Sequence, residues 1–359
     1  MLARTTSAFL AALLLLTVVV PTAEGQESSE LGQADALRLH HPGLYDVIVR
    51  LERSRGVLFG ELAREGEAVR ATGDDRPTSD FEVDLVHRLN SLVHAEGRAD
   101  DEAGAAEAGY RALGARAAEI IRWGQAFQRE VISILADPDV SDPRTALANA
   151  VGLYRSRPEA ALPSEPKDMG VLYDHRHALH FRTGYADLDG LLWAGHWLRL
   201  AATEPLTDLS TGADRVAGID TVSARYYAKL SYGEPPEAFP SELPLAPAIA
   251  PGLIWLSTES AMIWDNLSLL LEVLSDVLVS SEATDMPGSV GATLDFFMDP
   301  GLSVTDQDEW EIMALRHGIF FQGGYPLHVM TANERNTGGH AAHLAAGGRL
   351  VTMPGMPGR

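Results

Sequence analysis

Apolar residues recur every three or four positions over most of the chain, the period of a helix with one buried face. The spacing predicts a helix over 44–69, with Leu44, Val47, Ile48, Leu51, Leu58 and Leu62 on one stripe. Ser54 and Arg55 interrupt that stripe. A guanidinium there binds an anion, pairs with a buried acid, or lies at the stripe's edge and snorkels to water. Ser79 or Asp80 is placed to cap the next helix, whose face is Phe81, Leu85, Val86, Leu89, Leu92 and Val93. A longer helix is expected over 101–136, with Tyr110, Leu113, Ala117, Ile120, Phe127, Val131 and Ile134 inward. Asp142-Pro143 reads as an N-cap followed by proline at the first helical position.

Prolines concentrated in 158–166 mark a linker, after which helices are expected over 169–202 and 210–230. Prolines 235, 236, 240, 244, 247 and 251 predict an extended segment on the surface. The most apolar helix is expected over 252–280, with Leu256, Ile263, Leu267, Leu270, Leu274, Val277 and Leu278 on one broad face. Asp265, Glu272 and Asp276 share another face, which argues against a membrane span. Thr305 with Asp308 resembles a capping box for a last helix running through Trp310 to Phe320. The predicted class is all-α, either one multi-helix bundle or two packed bundles over 26–160 and 161–330, with a flexible tail over 331–359. A faint repeat, Leu44-Tyr45-Asp46 against Leu172-Tyr173-Asp174, favours two related halves.

Composition changes this picture at the N-terminus. Arg4, an uncharged run over 8–20, Pro21 and then Ala23-Glu24-Gly25 follow the order of a secretory signal peptide. The run is shorter than the roughly 20 residues a spanning helix needs. The expectation is therefore an exported protein, periplasmic or extracellular, with no stable membrane span after cleavage. Cysteine is absent, which excludes thiolate metal sites and a cysteine nucleophile. The net charge is −22, and only Lys167 and Lys229 are lysines. With no basic patch, nucleic acid and anionic membranes are poor partners.

Candidate chemistry concentrates in one segment. His175, His177, His180 and His196 lie within 22 residues, among Tyr173, Phe181, Trp193 and Trp197. On one continuous helix, His177 and His180 are neighbours on the apolar arc, and Asp174 borders them. Buried imidazoles need partners, and a divalent transition metal (zinc, iron or copper) would supply one. The candidate metal set is Asp174, His177 and His180, completed by Glu259 from the 252–280 helix. The competing reading is that the rings bond to acids, tyrosines or carbonyls as core histidines do. Gly195-His196-Trp197 resembles the G-x-H-x-x-E motif of imelysin-like exported proteins, but the spacer residue and the glutamate are missing, so that family is not assigned.

Three functions follow. The first is a binding protein for a metal or small ligand. The second is a metal-dependent enzyme using the same residues with an open coordination position. The third is a structural or partner-binding protein without a site. Asn266-Leu267-Ser268 fits a glycosylation sequon, but in mid-helix.

Overall fold

A helix that is apolar nearly all round is stable only when other helices surround it. That is the situation of Pro251–Val279 in the computed structural model, where every residue from 260 to 280 is buried. The structure describes residues 31, 34–73, 80–97, 99, 108–207, 211–230 and 243–317. The predicted leader and tail lie outside them.

In chain order the helices are α1 Asp35–His40, α2 Pro42–Thr72, α3 Phe81–Val93, α4 Ala115–Ala136, α5 Pro143–Arg155, α6 Val171–Asp174 and α7 His180–Gly184. They continue with α8 Ala186–Thr207, α9 Gly212–Leu230, α10 Ala246–Ile249, α11 Pro251–Val279, α12 Met286–Met298 and α13 Gln307–His317. The fold is an all-α multi-helix bundle, and among the described residues the only β feature is an isolated bridge between Lys167 and Val304. The central helix α11 packs against α2, α4, α5, α8 and α12. No helix among the described residues is long and apolar enough to cross a membrane.

Several predicted elements stand where spacing puts them. The Asp142 side chain accepts from Thr145 N, 3.2 Å, and so caps α5. At α13 the cap is Asp306, whose carboxylate accepts from Glu309 N, rather than Thr305. The helix expected over 101–136 is interrupted at Gly114, whose φ of 96° is accessible to glycine, and α4 begins after it. Of the proline-rich segment, residues 231–242 lie outside the described residues, and the described part departs from expectation. Residues 243–250 are buried, not laid on the surface, and 246–249 turn into the short α10. The two segments of the faint repeat also differ, since one lies within the 31-residue α2 and the other breaks after the four-residue α6.

The core has two apolar clusters, and each draws on residues before and after the 158–166 linker. The clusters divide along the length of the helices. On α2, Leu51 belongs to the first cluster and Leu58 to the second, with buried Glu52, Ser54 and Arg55 between them. On α4, Gln125 separates Ile121 of the second cluster from Ala126 of the first. On α11, Asp265 and Asn266 stand between Trp264 and Leu267. A buried polar layer therefore crosses the bundle between two apolar blocks.

Buried polar groups need partners, and α11 shows where they are found. Asn266 accepts from Lys167 N and donates to the carbonyls of Pro163 and Glu165, so it pins the proline linker and is spent as a sequon. Lys167 Nζ donates to the carbonyls of Phe296, Asp299 and Leu302 near the end of α12. The second lysine, Lys229, is also buried, 4.5 Å from the Trp197 ring centre.

Candidate functional site

The histidine segment is not a continuous helix. Leu179 takes a left-handed φ of 72°, and α7 starts only at His180. Asp276 imposes this break. Its carboxylate accepts from Phe181 N at 2.7 Å and from Leu179 N at 3.2 Å, and His175 Nε2 donates to it at 3.2 Å. The arc drawn on one helix therefore does not form. His175, expected on the opposite side, is the ring that meets the central helix.

His177 is buried as expected, and its Nδ1 hydrogen-bonds to Ser280 Oγ at 3.0 Å. Burial, followed by the charges of Arg176, His175 and His180, lowers its pKa. His180 is half-buried and donates from Nδ1 to the His177 carbonyl. Asp174 is exposed. Glu259 is exposed as well and pairs with Arg155 at 3.3 Å. Glu259 and Ser280 are 21 residues apart on and just beyond α11, or about 30 Å of helix. The structure therefore brings His177 and His180 together, leaves Asp174 at the surface, and sets Glu259 at the far end of α11. Among the described residues, no group of three or more His, Asp or Glu side chains is placed to hold a metal ion.

His196 has its own partner. Its Nε2 donates to Asp265 at 3.1 Å, and the same carboxylate accepts from Trp310 Nε1 and Ala246 N. Burial lowers His196 and raises Asp265. This carboxylate ties α8, α10 and α13 to α11. Nearby on α8 and α11, Asp189 and Glu272 form an acid pair joined by a hydrogen bond, and burial raises both, Asp189 to about 6.

The polar layer holds a different constellation, centred on Arg55. Arg55 and Arg199 are 4% and 0% exposed. Glu52 is the carboxylate that pairs directly with this group: Arg129 donates to its Oε2, and Arg199 Nη2 stands 3.5 Å from its Oε1. Burial, then the Arg55 charge, brings Arg199 down to about 9, so both guanidiniums carry charge at neutral pH. Arg55 is itself lowered, chiefly by burial. Burial also raises Tyr226, and raises Tyr110 to about 12. Tyr110 accepts a hydrogen bond from Gln125 Nε2. Among the described residues, Arg55 Nε and Arg199 Nε and Nη2 are buried without a hydrogen bond.

Arg55 also lines a small, partly open cavity between α2, α3, α8 and α9. Ser54, Tyr226, Leu89, Val93 and Leu192 line it with Arg55. Gly195 makes room for the head of Arg55, since a Cβ there would stand 3.2 Å from Nη2 and 2.8 Å from Leu51 Cδ1. The sequence signal for this site was the break in the α2 stripe at Ser54-Arg55. Arg199 gave no signal, because its burial depends on how α8 is surrounded.

No protein-family model, no curated protein and no solved structure matches the chain.

Proposed function

We propose that this chain is an exported helical binding protein, and that its small ligand sits against Arg55 in the cavity between α2, α3, α8 and α9. Export rests on the N-terminal sequence pattern alone. One observation carries the ligand reading: a charged guanidinium, 4% exposed, lines a cavity while its Nε lacks a hydrogen bond. An unmet buried donor costs on the order of 1–3 kcal/mol, more when charged, and an anionic acceptor would recover that cost. Glu52, whose charge bears on Arg55, pairs with Arg129 and Arg199, and its Oε1 is itself buried without a hydrogen bond.

The test is thermal unfolding of the full chain at constant ionic strength across a panel of small anions. Stabilisation that rises with anion concentration, and is lost in Arg55→Gln, supports the reading. No stabilisation by any anion in the unmodified chain overturns it.

Metal binding at the histidine loop is the second reading. It draws on His175, His177 and His180 lying in one short loop, with His177 buried and its pKa lowered by that burial. Zinc, iron or copper there would have to displace Ser280 from His177. Elemental analysis of the purified chain and of His177→Ala/His180→Ala decides it, and an open coordination position would turn it into the enzyme reading. A chain that takes up neither metal nor anion fits the purely structural role.

A further inference from the structure

A second group of buried acids lies where the first turn of α8 meets α11. Glu272 of α11 is 1% exposed, and among the described residues its Oε2 is buried without a hydrogen bond. Asp189 of α8 is partly exposed and is hydrogen-bonded to Glu272. An ionised carboxylate only accepts, so two carboxyl groups bond to each other only when one of them carries a proton. The surrounding charges do not replace that proton. Arg182 of α7 attracts both acids, but its Nη2 donates to the Leu172 carbonyl. Arg55 of α2 and Glu272 act on each other through charge alone. Asp276 of α11 and Glu82 of α3 add negative charge, Asp276 held by the histidine loop and Glu82 by Asp187 N and Leu188 N. Glu65 of α2 accepts from the Tyr185 hydroxyl. Charged groups on the other neighbouring helices meet other partners: Lys229 of α9 the Trp193 and Trp197 rings, Arg116 of α4 Asp295 of α12, and Arg155 of α5 Glu259.

We infer that Asp189 and Glu272 hold one proton between them at neutral pH, and that this proton latches the first turn of α8 to α11. Glu272, the more buried of the two, is the donor. Burial, then the neighbouring Asp189, raises its pKa well above the usual carboxylate range, while the same hydrogen bond lowers Asp189. Loss of the first proton from the pair leaves a charge-assisted hydrogen bond, stronger than a neutral one. Loss of the second sets two anions against each other away from water, which neither burial nor charge favours. Asp189 is the partly exposed member, so the first turn of α8 is the side that lets go. Asp276, the anchor of the histidine loop, is one helical turn further along α11. The sign follows from both groups being raised on folding. Their contribution to stability is complete below about pH 4 and is lost as pH rises, first through Asp189 at about 6 and then through Glu272. The device is closed by acid and released by alkali, and it stands apart from the Arg55 reading.

Infrared spectroscopy of the full chain tests the shared proton, because a protonated carboxyl group has its own carbonyl stretch. At pH 7 the unmodified chain is expected to show that band, and Glu272→Gln to lose one carboxyl's share of it. Asp189→Asn removes the neighbouring anion and is expected to bring the pH at which the Glu272 band disappears down by at least about one unit. Amide exchange over 187–191, corrected for base catalysis, tests the latch. In the unmodified chain, protection there is expected to fall at least about tenfold across the pH range in which the band disappears. Glu272→Gln supplies an amide N–H in place of the proton and is expected to keep protection over that range. A band of equal size in Glu272→Gln, or one with the same midpoint in Asp189→Asn, overturns the shared proton. Protection that survives loss of the band in the unmodified chain, or that falls equally in Glu272→Gln, overturns the latch.

Discussion

Asp276 on the central helix accepts a hydrogen bond from Phe181 N at 2.7 Å, across 95 residues of sequence. The same carboxylate takes Leu179 N and His175 Nε2. One side chain thus caps α7 and fixes the fold of the whole histidine loop. Asp276→Ala would leave two backbone N–H groups of the loop without an acceptor. The expected loss is about 2–4 kcal/mol, read as a lower midpoint in urea unfolding. Amide exchange at Leu179 and Phe181 should accelerate more than exchange in α5. Equal acceleration in both places would mean that Asp276 does not act locally.

Lys167 fills the same kind of role with the opposite charge. Its ammonium meets three carbonyls beyond and at the end of α12, two of them at 2.6 Å. Lys167→Met keeps the stem and strips all three of their donor. It is expected to destabilise the chain by about 2–3 kcal/mol. Unfolding of unchanged midpoint would show that water replaces the ammonium without loss.

Gly66 lets the backbone of α2 come close to that of α11. A Cβ there would stand 1.8 Å from the carbonyl oxygen of Leu278. Backbone cannot yield as a side chain does, so Gly66→Ala is expected to cost about 3 kcal/mol or more. Gly43→Ala is the control, with nothing within 4 Å of its Cβ. A thermal melt of each variant checks the contrast.

Glu204 gives a pH dependence with a definite sign. Its carboxylate accepts from Gly252 N at the start of α11, and burial pushes its pKa up to about 7. The folded state therefore holds the proton more tightly than the unfolded chain. Stability from this group is complete below about pH 4.5 and falls as pH rises toward 7. Glu204→Gln keeps an acceptor and removes the titration. Relative to the unmodified chain it should gain about 2 kcal/mol at pH 8 and nothing at pH 4.5, allowing for partial exposure. Urea unfolding at the two pH values measures this. An equal shift at both would assign the effect to packing.

Helical period made much of this fold legible. α2, α3, α5, α9 and α11 lie where apolar spacing puts them, and Asp142-Pro143 starts α5 as a cap should. A similar signal, Asp285 before Met286-Pro287, starts α12 but is faint between stronger patterns. The charged face of α11 was readable as a face, but not as a buried one. Spacing cannot show that Asp265, Asn266 and Asp276 each meet N–H groups from other segments. For the same reason the break at Leu179 left no local trace: no glycine or proline marks it, and Asp276 imposes it from 97 residues away. On sequence grounds a metal set and core histidines stand as alternatives. The geometry of the metal set rests on a continuous helix that Asp276 interrupts. Arg55 was visible as an interruption, while the crowd of guanidiniums around Glu52 needed three helices in place.

The most direct measurement is the Nε–H resonance of Arg55 in the full chain labelled with ¹⁵N-arginine, assigned through Arg55→Lys and followed during addition of each small anion of the panel. The account predicts a saturable shift of that resonance. A resonance that stays fixed while every anion rises to high millimolar levels would contradict it.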